Sequence, residues 1–376
     1  MLYRQLYDDL QAAIRGGEYS VGDRLPTEVE LRERYSVSAI TVRRALDMLR
    51  QDGYVERRPR IGTTVISTEP TQRTPRPGSA PVIGLVLTSF DDTFGARLLE
   101  GALDAARGEA HLVVERTRGD LEREAEAIAA VMDAGAQALI LLPSSSAMIP
   151  PPVLGLVTQD FPVVMVDRRF EGVPVATVTS DNIAAGTDAT EHLFQLGHRR
   201  VALVTSDSSV TSNDDRRRGW VGAHARNDVS LDDELAFHEI ESTLPGSSAS
   251  REDDVKRLEA FVAAHPDVTG YVVGEYNIAL ILREALQHAG RRIPEDVSIV
   301  CFDHPDAWFD TELFRFTHVA QDQATLGDRA VASALRQIRD GAGPEKVVVP
   351  TAFVVGASTA AAPTPAPLAA PSPSGR

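Results

Sequence analysis

Residues 25–65 constrain the fold more than any other part of this chain, because they place two helices almost end to end. Thr27 and Glu30 form a T-x-x-E capping box, in which the two side chains satisfy backbone amides at the start of the first helix. After a short polar break, Ser38 is placed to cap a second helix that runs to about Gln51. This arrangement predicts a helix-turn-helix unit, which reads duplex DNA.

The second helix is amphipathic. Its apolar residues recur at the spacing of one buried helix face, namely Val42, Ala45, Leu46 and Leu49. At about 100° per residue, other side chains near its amino end point away from that face or lie on its flank. We expect four of them to approach DNA: Ile40, Thr41, Arg43 and Arg44. A solvated helix face is the alternative for the two arginines.

A two-stranded wing is predicted after the second helix. Residues 54–57 alternate with a period of two, and a second extended run covers residues 63–66 after an arginine-rich turn. A purely structural role for this arginine cluster is the alternative. The wing supplies five further predicted DNA contacts, which are Arg57, Arg58, Arg60, Gly62 and Thr63. Thr27 and Ser38, at the starts of the two helices, complete the predicted set.

Charge is distributed unevenly along the 376 residues, whose formal net charge is -16. Residues 1–68 carry 11 arginines and 10 acidic residues, a charge of about +1, so the remainder holds 27 - 44, or about -17. A single cysteine excludes an internal disulfide framework. The amino terminus lacks the pattern of a secretory signal, and no apolar run reaches membrane-spanning length, so we expect a cytoplasmic protein without membrane contact.

Residues 1–67 resemble the DNA-binding domain of the GntR family of bacterial transcription regulators. The matching segments are Gly22-Asp23-Arg24-Leu25-Pro26, Val37-Ser38, Thr41-Val42-Arg43-Arg44-Ala45-Leu46, Asp52-Gly53 and Gly62-Thr63. Val29 and Ala39 occupy two positions at which that family usually has arginine. The resemblance therefore implies a winged helix-turn-helix domain that depends more on Thr41, its neighbouring arginines and the wing.

Two segments have the composition of linkers. Residues 68–81 contain four prolines and no apolar periodicity, which predicts a proline-rich linker. Residues 360–376 are an alanine and proline repeat, which predicts a disordered tail.

From Val82 onward, apolar strand runs alternate with segments of helical length. Strands that are apolar on both faces indicate parallel sheets in an α/β architecture. No glycine-rich phosphate loop follows the first strand, so no nucleotide cofactor is expected. A polar and aromatic loop at residues 89–95 follows it instead, at the sheet edge where open α/β sheets bind ligands.

Residues 82–359 resemble the LacI-type effector domain, which is related to periplasmic sugar-binding proteins. The resemblance is carried by segments such as HLFQLGHRRVALVT, ALILREALQHAGRRIPEDVSIVCFD and THVAQDQATLGDRA. It implies two Rossmann-like lobes that close over a small ligand. Chain crossings between the lobes are expected near Asp181, between Asp306 and Thr317, and near residues 347–350.

Candidate ligand contacts lie at strand ends and in the loops that follow. Carboxylates and guanidiniums bind neighbouring hydroxyl groups of a sugar, while aromatic rings cover its C–H surfaces. The resemblance implies that a ligand is faced by Phe90, Phe94, Asp167, Arg168, Arg216, Trp220, Glu275, Asp303 and Gln321. Three alternatives stay open: Asp303 as a turn residue, Arg216 in a solvated basic run, and Trp220 in a helix core.

Neither a metal site nor a catalytic framework is evident. Asp303, His304 and Asp306 lie within one turn, and such a group rarely completes a coordination shell without distant partners. Cys301 lies in a buried strand pattern and is expected in the core. We therefore expect no metal, no cofactor and no enzymatic activity.

The sequence predicts a DNA-binding transcription regulator, most simply a repressor, that binds a two-fold operator in double-stranded DNA as a homodimer. A small-molecule effector, expected to be a sugar or a sugar-like compound, would control operator binding. The alternative is a cytoplasmic sugar-binding protein of the periplasmic type without DNA regulation. A solute-binding protein serving a transporter and an enzyme on Rossmann-like lobes are the other classes considered.

Overall fold

A computed structural model of the chain describes residues 2–58, 62–68, 80–90, 93–207, 209–305 and 314–364. Most of the predicted linker and tail, together with Arg60, lies outside these ranges. The side chain of Arg58 is also outside the described part. No helix among the described residues is long and apolar enough to span a membrane.

The amino-terminal domain, called the head below, consists of three helices and a two-stranded antiparallel sheet. Its elements are α1 (Leu2–Arg15), α2 (Glu28–Tyr35), α3 (Ala39–Gln51), β1 (Val55–Arg58) and β2 (Gly62–Val65). The predicted capping box is confirmed, because Thr27 and Glu30 each accept a hydrogen bond from the other's backbone N–H. Ser38 caps α3 as predicted, and the predicted apolar stripe of α3 is buried.

The rest of the chain alternates strands and helices. In chain order these are β3 (Val82–Leu87), α4 (Ala96–Ala106), β4 (His111–Arg116), α5 (Leu121–Asp133), β5 (Ala138–Leu141), α6 (Pro151–Val157), β6 (Val163–Val166), β7 (Ala176–Ser180), α7 (Asn182–Gln195), β8 (Val201–Ser206), α8 (Thr211–Arg226), β9 (Ala236–Ile240), α9 (Arg251–Ala264), β10 (Gly270–Val273), α10 (Tyr276–His288), β11 (Ser298–Phe302), β12 (Thr317–Gln321), α11 (Gln323–Asp340), β13 (Lys346–Val349) and β14 (Thr351–Val354).

These strands form two six-stranded sheets, one in each lobe. Lobe 1 has the order β13-β7-β6-β5-β3-β4, and all its strand pairs are parallel. Lobe 2 has the order β14-β12-β11-β10-β8-β9, in which only the β14 pairing is antiparallel. The predicted parallel sheets are therefore confirmed.

The chain passes between the lobes at three places. It leaves lobe 1 after β7 at Asp181, returns between β12 and α11 at Asp322, and crosses again between β13 and β14 at Pro350. The first and third crossings were predicted correctly. The crossing predicted between Asp306 and Thr317 is wrong, because β12 pairs with β11 in lobe 2 before the chain leaves that lobe.

The two lobes repeat the same local design. Their strand orders correspond, so β6 in lobe 1 occupies the place of β11 in lobe 2. Asp167 follows β6 and Asp303 follows β11, and both have a left-handed backbone with φ of 64° and 58°. This turn redirects the chain at the carboxyl edge of each sheet, so that the two aspartates face the same interlobe space.

Helices α7 and α8 pack backbone to backbone through glycines. A Cβ atom at Gly186 would overlap the backbone of Arg216, and one at Gly219 would overlap the backbone of Ile183. Helices α4 and α11 use Gly101 and Gly327 in the same way. These close approaches hold α7 and α11, the helices that directly follow the first two crossings, against their lobes.

We predict that Gly219→Ala lowers the free energy of unfolding by roughly 1–3 kcal/mol, because a methyl group there cannot be accommodated without moving a backbone. Gly222→Ala in the same helix is the matched control, since its nearest neighbour would lie 4.0 Å away. The control should gain up to about 1 kcal/mol from helix propensity. Urea unfolding followed by circular dichroism measures both, and equal midpoints would contradict the packing argument.

Candidate nucleic-acid interface and ligand cleft

Glu28 of α2 is bonded to both α3 and the wing. Its carboxylate accepts a hydrogen bond from Arg43 Nε on α3 at 3.0 Å and one from Arg57 Nη2 on the wing at 2.6 Å. Both arginines remain about half exposed. Glu28 thereby holds two guanidiniums on one side of the head, and guanidiniums of this kind can contact phosphate.

The wing presents its side chains alternately. Thr63 is buried against the head, and its backbone carbonyl accepts a hydrogen bond from the N–H of Leu25. Alternate residues of a strand face opposite sides, and Thr63 is on the side that faces the head. The prediction that Thr63 contacts DNA is therefore corrected. Gly62 is exposed at the start of β2 with φ of 102°, a conformation that a side chain would strain.

The amino end of α3 contacts lobe 1. Gln159 donates to Ser38 Oγ at 2.9 Å and accepts from Thr41 Oγ1 at 2.6 Å. Arg44 lies between the rings of Tyr3 and Phe161. The predicted DNA-reading positions of α3 are thus occupied by protein contacts in this structure.

Asp303 and Gln321 lie side by side at the carboxyl edge of lobe 2. The Asp303 carboxylate accepts from the backbone N–H of Gln321 at 3.1 Å and from its side-chain amide at 2.6 Å. Both residues are largely buried. Burial raises the pKa of Asp303 to about 6, although the nearby guanidinium of Arg216 opposes the shift.

Arg216 extends from α8 into the same space. Its Nε donates to Asn182 Oδ1 at 2.9 Å, its Nη1 donates to the carbonyl of Gly274 at 2.6 Å, and its guanidinium lies 4.1 Å from the centre of the Phe302 ring. The side chain is buried, so the alternative of a solvated basic run does not apply to it. These contacts hold the guanidinium in one orientation.

Asp167 and Arg168 supply the lobe 1 side of the cleft. The Asp167 carboxylate is buried, and its Oδ1 has no hydrogen-bond partner among the described residues. Burial raises the pKa of Asp167, while Arg168 and Arg216 oppose that shift. A buried carboxylate oxygen without a partner is costly unless a ligand donates to it.

Three other predicted ligand contacts differ in their surroundings. Glu275 precedes α10, and its charge is close enough to influence Arg216. Phe94 packs against the core of lobe 1, whereas Phe90 is partly exposed, with its ring 5.6 Å from the guanidinium of Arg116. Both phenylalanines belong to the loop after β3, at the carboxyl edge of lobe 1.

Trp220 is a core residue and not a cleft residue. It is fully buried in lobe 2, and its indole N–H donates to the carbonyl of Val201 at 3.2 Å. Val201 begins β8, so this contact lies at the amino edge of the sheet, opposite the cleft. The prediction that Trp220 contacts the ligand is corrected accordingly. Cys301 is buried in β11, as predicted.

Sequence reasoning missed Asn182, which orients Arg216, and the ion pair that joins the lobes. Arg169 of lobe 1 donates to both carboxylate oxygens of Asp215 in lobe 2, at 2.6 and 3.2 Å. The backbone N–H of Arg169 also donates to Thr211 Oγ1 at 3.1 Å. The only signal in the sequence was the adjacency of these residues to the predicted ligand contacts Arg168 and Arg216.

Two family models match the chain. Residues 2–65 match the bacterial regulatory proteins of the gntR family, and residues 190–359 match the periplasmic binding protein-like domain. The first match covers the head, and the second covers most of lobe 2 together with α11 and the last two strands.

Relatives extend across nearly the whole chain. The arabinose metabolism transcriptional repressor of Geobacillus stearothermophilus is 27% identical over 345 residues, covering 89% of this chain and 91% of that protein. The HTH-type transcriptional regulator AglR of Rhizobium meliloti is 27% identical over 350 residues, covering 90% and 91%.

Solved structures share the lobes. A LacI family transcriptional regulator from Enterococcus faecium with bound ribose has a TM-score of 0.61 at 21% identity, covering 74% of this chain and 99% of that one. A complex of the transcriptional regulator CelR with cellobiose has a TM-score of 0.62 at 22% identity, covering 86% and 91%.

The match of the head to the gntR family, together with relatives that are transcription regulators over about 90% of the chain, identifies this chain as a transcription regulator. It combines a GntR-family DNA-binding domain with a periplasmic-binding-protein-like domain of the kind found in LacI-type regulators. Both resemblances inferred from the sequence are confirmed.

We predict that the stability difference between wild type and Asp303→Asn changes with pH. Because the folded pKa of Asp303 is raised to about 6, its favourable contribution is complete below the unfolded pKa of about 4 and is lost as the pH rises through 6. The loss amounts to about 3 kcal/mol at neutral pH. Asparagine does not ionise, so its melting temperature should rise relative to wild type between pH of about 4.5 and about 7.5.

The matched control is Asp340→Asn, which removes a carboxylate from the exposed end of α11. Because the Asp340 side chain is exposed, its replacement should change the melting temperature little at either end of this pH range. A pH-independent difference for Asp303→Asn would show that burial does not hold the proton on this carboxyl group.

Proposed function

We propose that this chain is a transcriptional repressor that binds a two-fold operator as a homodimer and is controlled by a sugar or sugar-like effector. In this assignment residues 1–67 are the DNA-binding domain, 68–81 the linker, 82–359 the effector domain and 360–376 a disordered tail. The observation that carries it is the buried set of carboxylates and guanidiniums between the lobes of a chain with a winged helix-turn-helix head. Relatives that are repressors of arabinose metabolism and of a ribose operon, together with similar structures that hold ribose and cellobiose, support this assignment.

The cleft has the chemistry of a carbohydrate site. Asp167, Arg168 and Arg216 bring acceptors and fixed donors from both lobes to one space, and Asp303 adds an oriented carboxylate. Neighbouring sugar hydroxyls pair well with carboxylates and guanidiniums because each hydroxyl both donates and accepts. A hydroxyl that donates to Asp167 Oδ1 would satisfy the buried oxygen that lacks a partner.

Effector control then follows from lobe closure. A ligand that contacts Asp167 of lobe 1 and Arg216 of lobe 2 favours the closed state over the open state by its difference in affinity. Arg169 lies two residues after Asp167, and Asp215 lies next to Arg216. Arg169 and Asp215 form the ion pair between the lobes. Closure changes the distance between the two heads of the dimer, which must match half-sites roughly 34 Å apart or a multiple of it.

We predict that Arg57→Ala weakens operator binding roughly 5- to 10-fold and reduces the dependence of log K on log salt concentration by about one. The reason is that Arg57 presents an exposed guanidinium on the wing. Fluorescence anisotropy with DNA from upstream of the gene, titrated with salt, measures both quantities.

The control variant is Arg226→Ala, which removes an exposed guanidinium from α8 in lobe 2. It should leave operator affinity and salt dependence unchanged. An equal loss in the two variants would indicate a general charge effect, and binding without sequence preference by the wild type at every salt concentration would refute the proposed regulator.

We predict that Asp167→Asn abolishes the effector response while operator affinity is kept. Asp167 is buried in lobe 1 beside Arg168, and its uncharged replacement relieves the cost of a buried charge while every residue of the head is kept. A thermal-shift panel of pentoses, hexoses, polyols and sugar acids identifies a ligand by its stabilisation of the folded wild type. The same ligand should then shift Asp167→Asn by less than a quarter of that amount (roughly) and should no longer release operator DNA.

Asp340→Asn again serves as the control and should respond like the wild type. Retained release of operator by the ligand in Asp167→Asn would remove this residue from the site. A panel in which no carbohydrate stabilises the wild type would argue against a sugar effector.

A further inference from the structure

The amino end of α3 meets a particular surface of lobe 1. This surface, called the docking surface below, consists of Asp133 at the end of α5 and of Gln159 and Phe161 after α6. Gln159 and Asp133 contact the head through side-chain polar atoms, and Phe161 contacts it through its ring. Residue Ile40 of α3 also packs against the hydrophobic core that contains Phe161.

Gln159 binds the start of α3 in two directions. Its amide nitrogen donates to Ser38 Oγ at 2.9 Å, and its amide oxygen accepts from Thr41 Oγ1 at 2.6 Å. Thr41 is 1% exposed in this arrangement. A paired donor and acceptor in one plane is also what the edge of a DNA base presents to a recognition helix.

The two arginines of α3 are engaged in the same way. Arg43 Nη1 donates to the Asp133 carboxylate at 3.1 Å, an acceptor of the same charge sign as a phosphate oxygen. The Arg44 guanidinium lies 4.8 Å from the centre of the Phe161 ring. Lobe 1 thus offers an anion, an amide and an aromatic face, which match the phosphate, the edge and the face of a nucleotide.

We propose that the docking surface binds the recognition helix of its own chain in competition with operator DNA. This inference rests on the proposed function for the DNA competitor, but the docking itself does not. Ser38, Thr41 and Arg43 cannot contact Gln159 and Asp133 and a DNA groove at the same time. The head is therefore available to DNA only in the fraction of molecules in which α3 has left lobe 1, and the apparent affinity is reduced by that fraction.

The test changes only lobe 1, so that every DNA-reading residue of the head stays intact. The variant Asp133→Ala/Gln159→Ala removes the anion and the amide, and Glu126→Ala removes an exposed charge from α5 two turns before Asp133. Operator affinity is measured by fluorescence anisotropy on the full chain. The double variant should bind roughly 5- to 10-fold more tightly than wild type, and Glu126→Ala should match wild type.

Amide hydrogen exchange without DNA provides the second measurement. Residues 38–44 should exchange at least about threefold faster in the double variant than in wild type, while α1 and the lobe sheets keep their rates. Equal affinity gains in the double variant and in Glu126→Ala would mean that lost negative charge, and not docking, is responsible. Unchanged affinity together with unchanged exchange would overturn the proposal.

The two measurements also separate this proposal from the proposed function. If the variants differ in exchange but none of the proteins prefers operator DNA, docking stands and the competition with operator is refuted together with the regulator. If all proteins bind operator equally and exchange equally, the regulator stands and docking is refuted.

Discussion

The sheets of the two lobes turn their carboxyl edges toward each other, and the polar space between the lobes depends on this arrangement. In a parallel sheet all strands end at one edge, so the residues that follow them collect there. Because the strand order is repeated, Asp167 and Asp303 are brought to opposite sides of one space by the same left-handed turn. The three crossings connect the lobes beside these opposed edges.

The cleft is costly in the absence of a ligand. Charges buried at Asp167, Asp303 and Arg216 lose hydration, and their mutual attraction offsets only part of that loss. The raised pKa values of both aspartates express the same cost. Residues that are unfavourable for folding and yet are held in fixed orientations, as Arg216 is by Asn182, are characteristic of binding sites.

Much of this structure could be predicted from local rules. The capping box at Thr27, the cap at Ser38 and the doubly apolar strands depend on residues close in sequence, and their elements form as expected. The cleft positions Asp167 and Asp303 were found because strand ends define a sheet edge. Such predictions succeed where a short segment determines its own geometry.

The failures share a different cause. Trp220 lies one turn from Arg216 on the buried face of α8, and only the position of α8 along β8 decides which of the two reaches the cleft. The pairing of Arg169 with Asp215 joins two lobes, so the sequence around either residue does not indicate its partner. Thr63 was misplaced because a wing strand has one inward face, and its register is set by the pairing of β1 with β2.

The uneven charge now has a structural role. Residues after 68 carry about -17 and residues 1–68 about +1, so the lobes repel DNA and favour contact through the heads. The same negative surplus makes lobe 1 a competitor for the head, since Asp133 attracts the guanidinium of Arg43. That attraction is screened at high salt, as is the attraction of Arg43 to phosphate. Salt therefore weakens the binding of α3 to lobe 1 and its binding to DNA together. The balance between these two bound states depends more on the neutral contacts of Gln159 and Phe161 than on net charge.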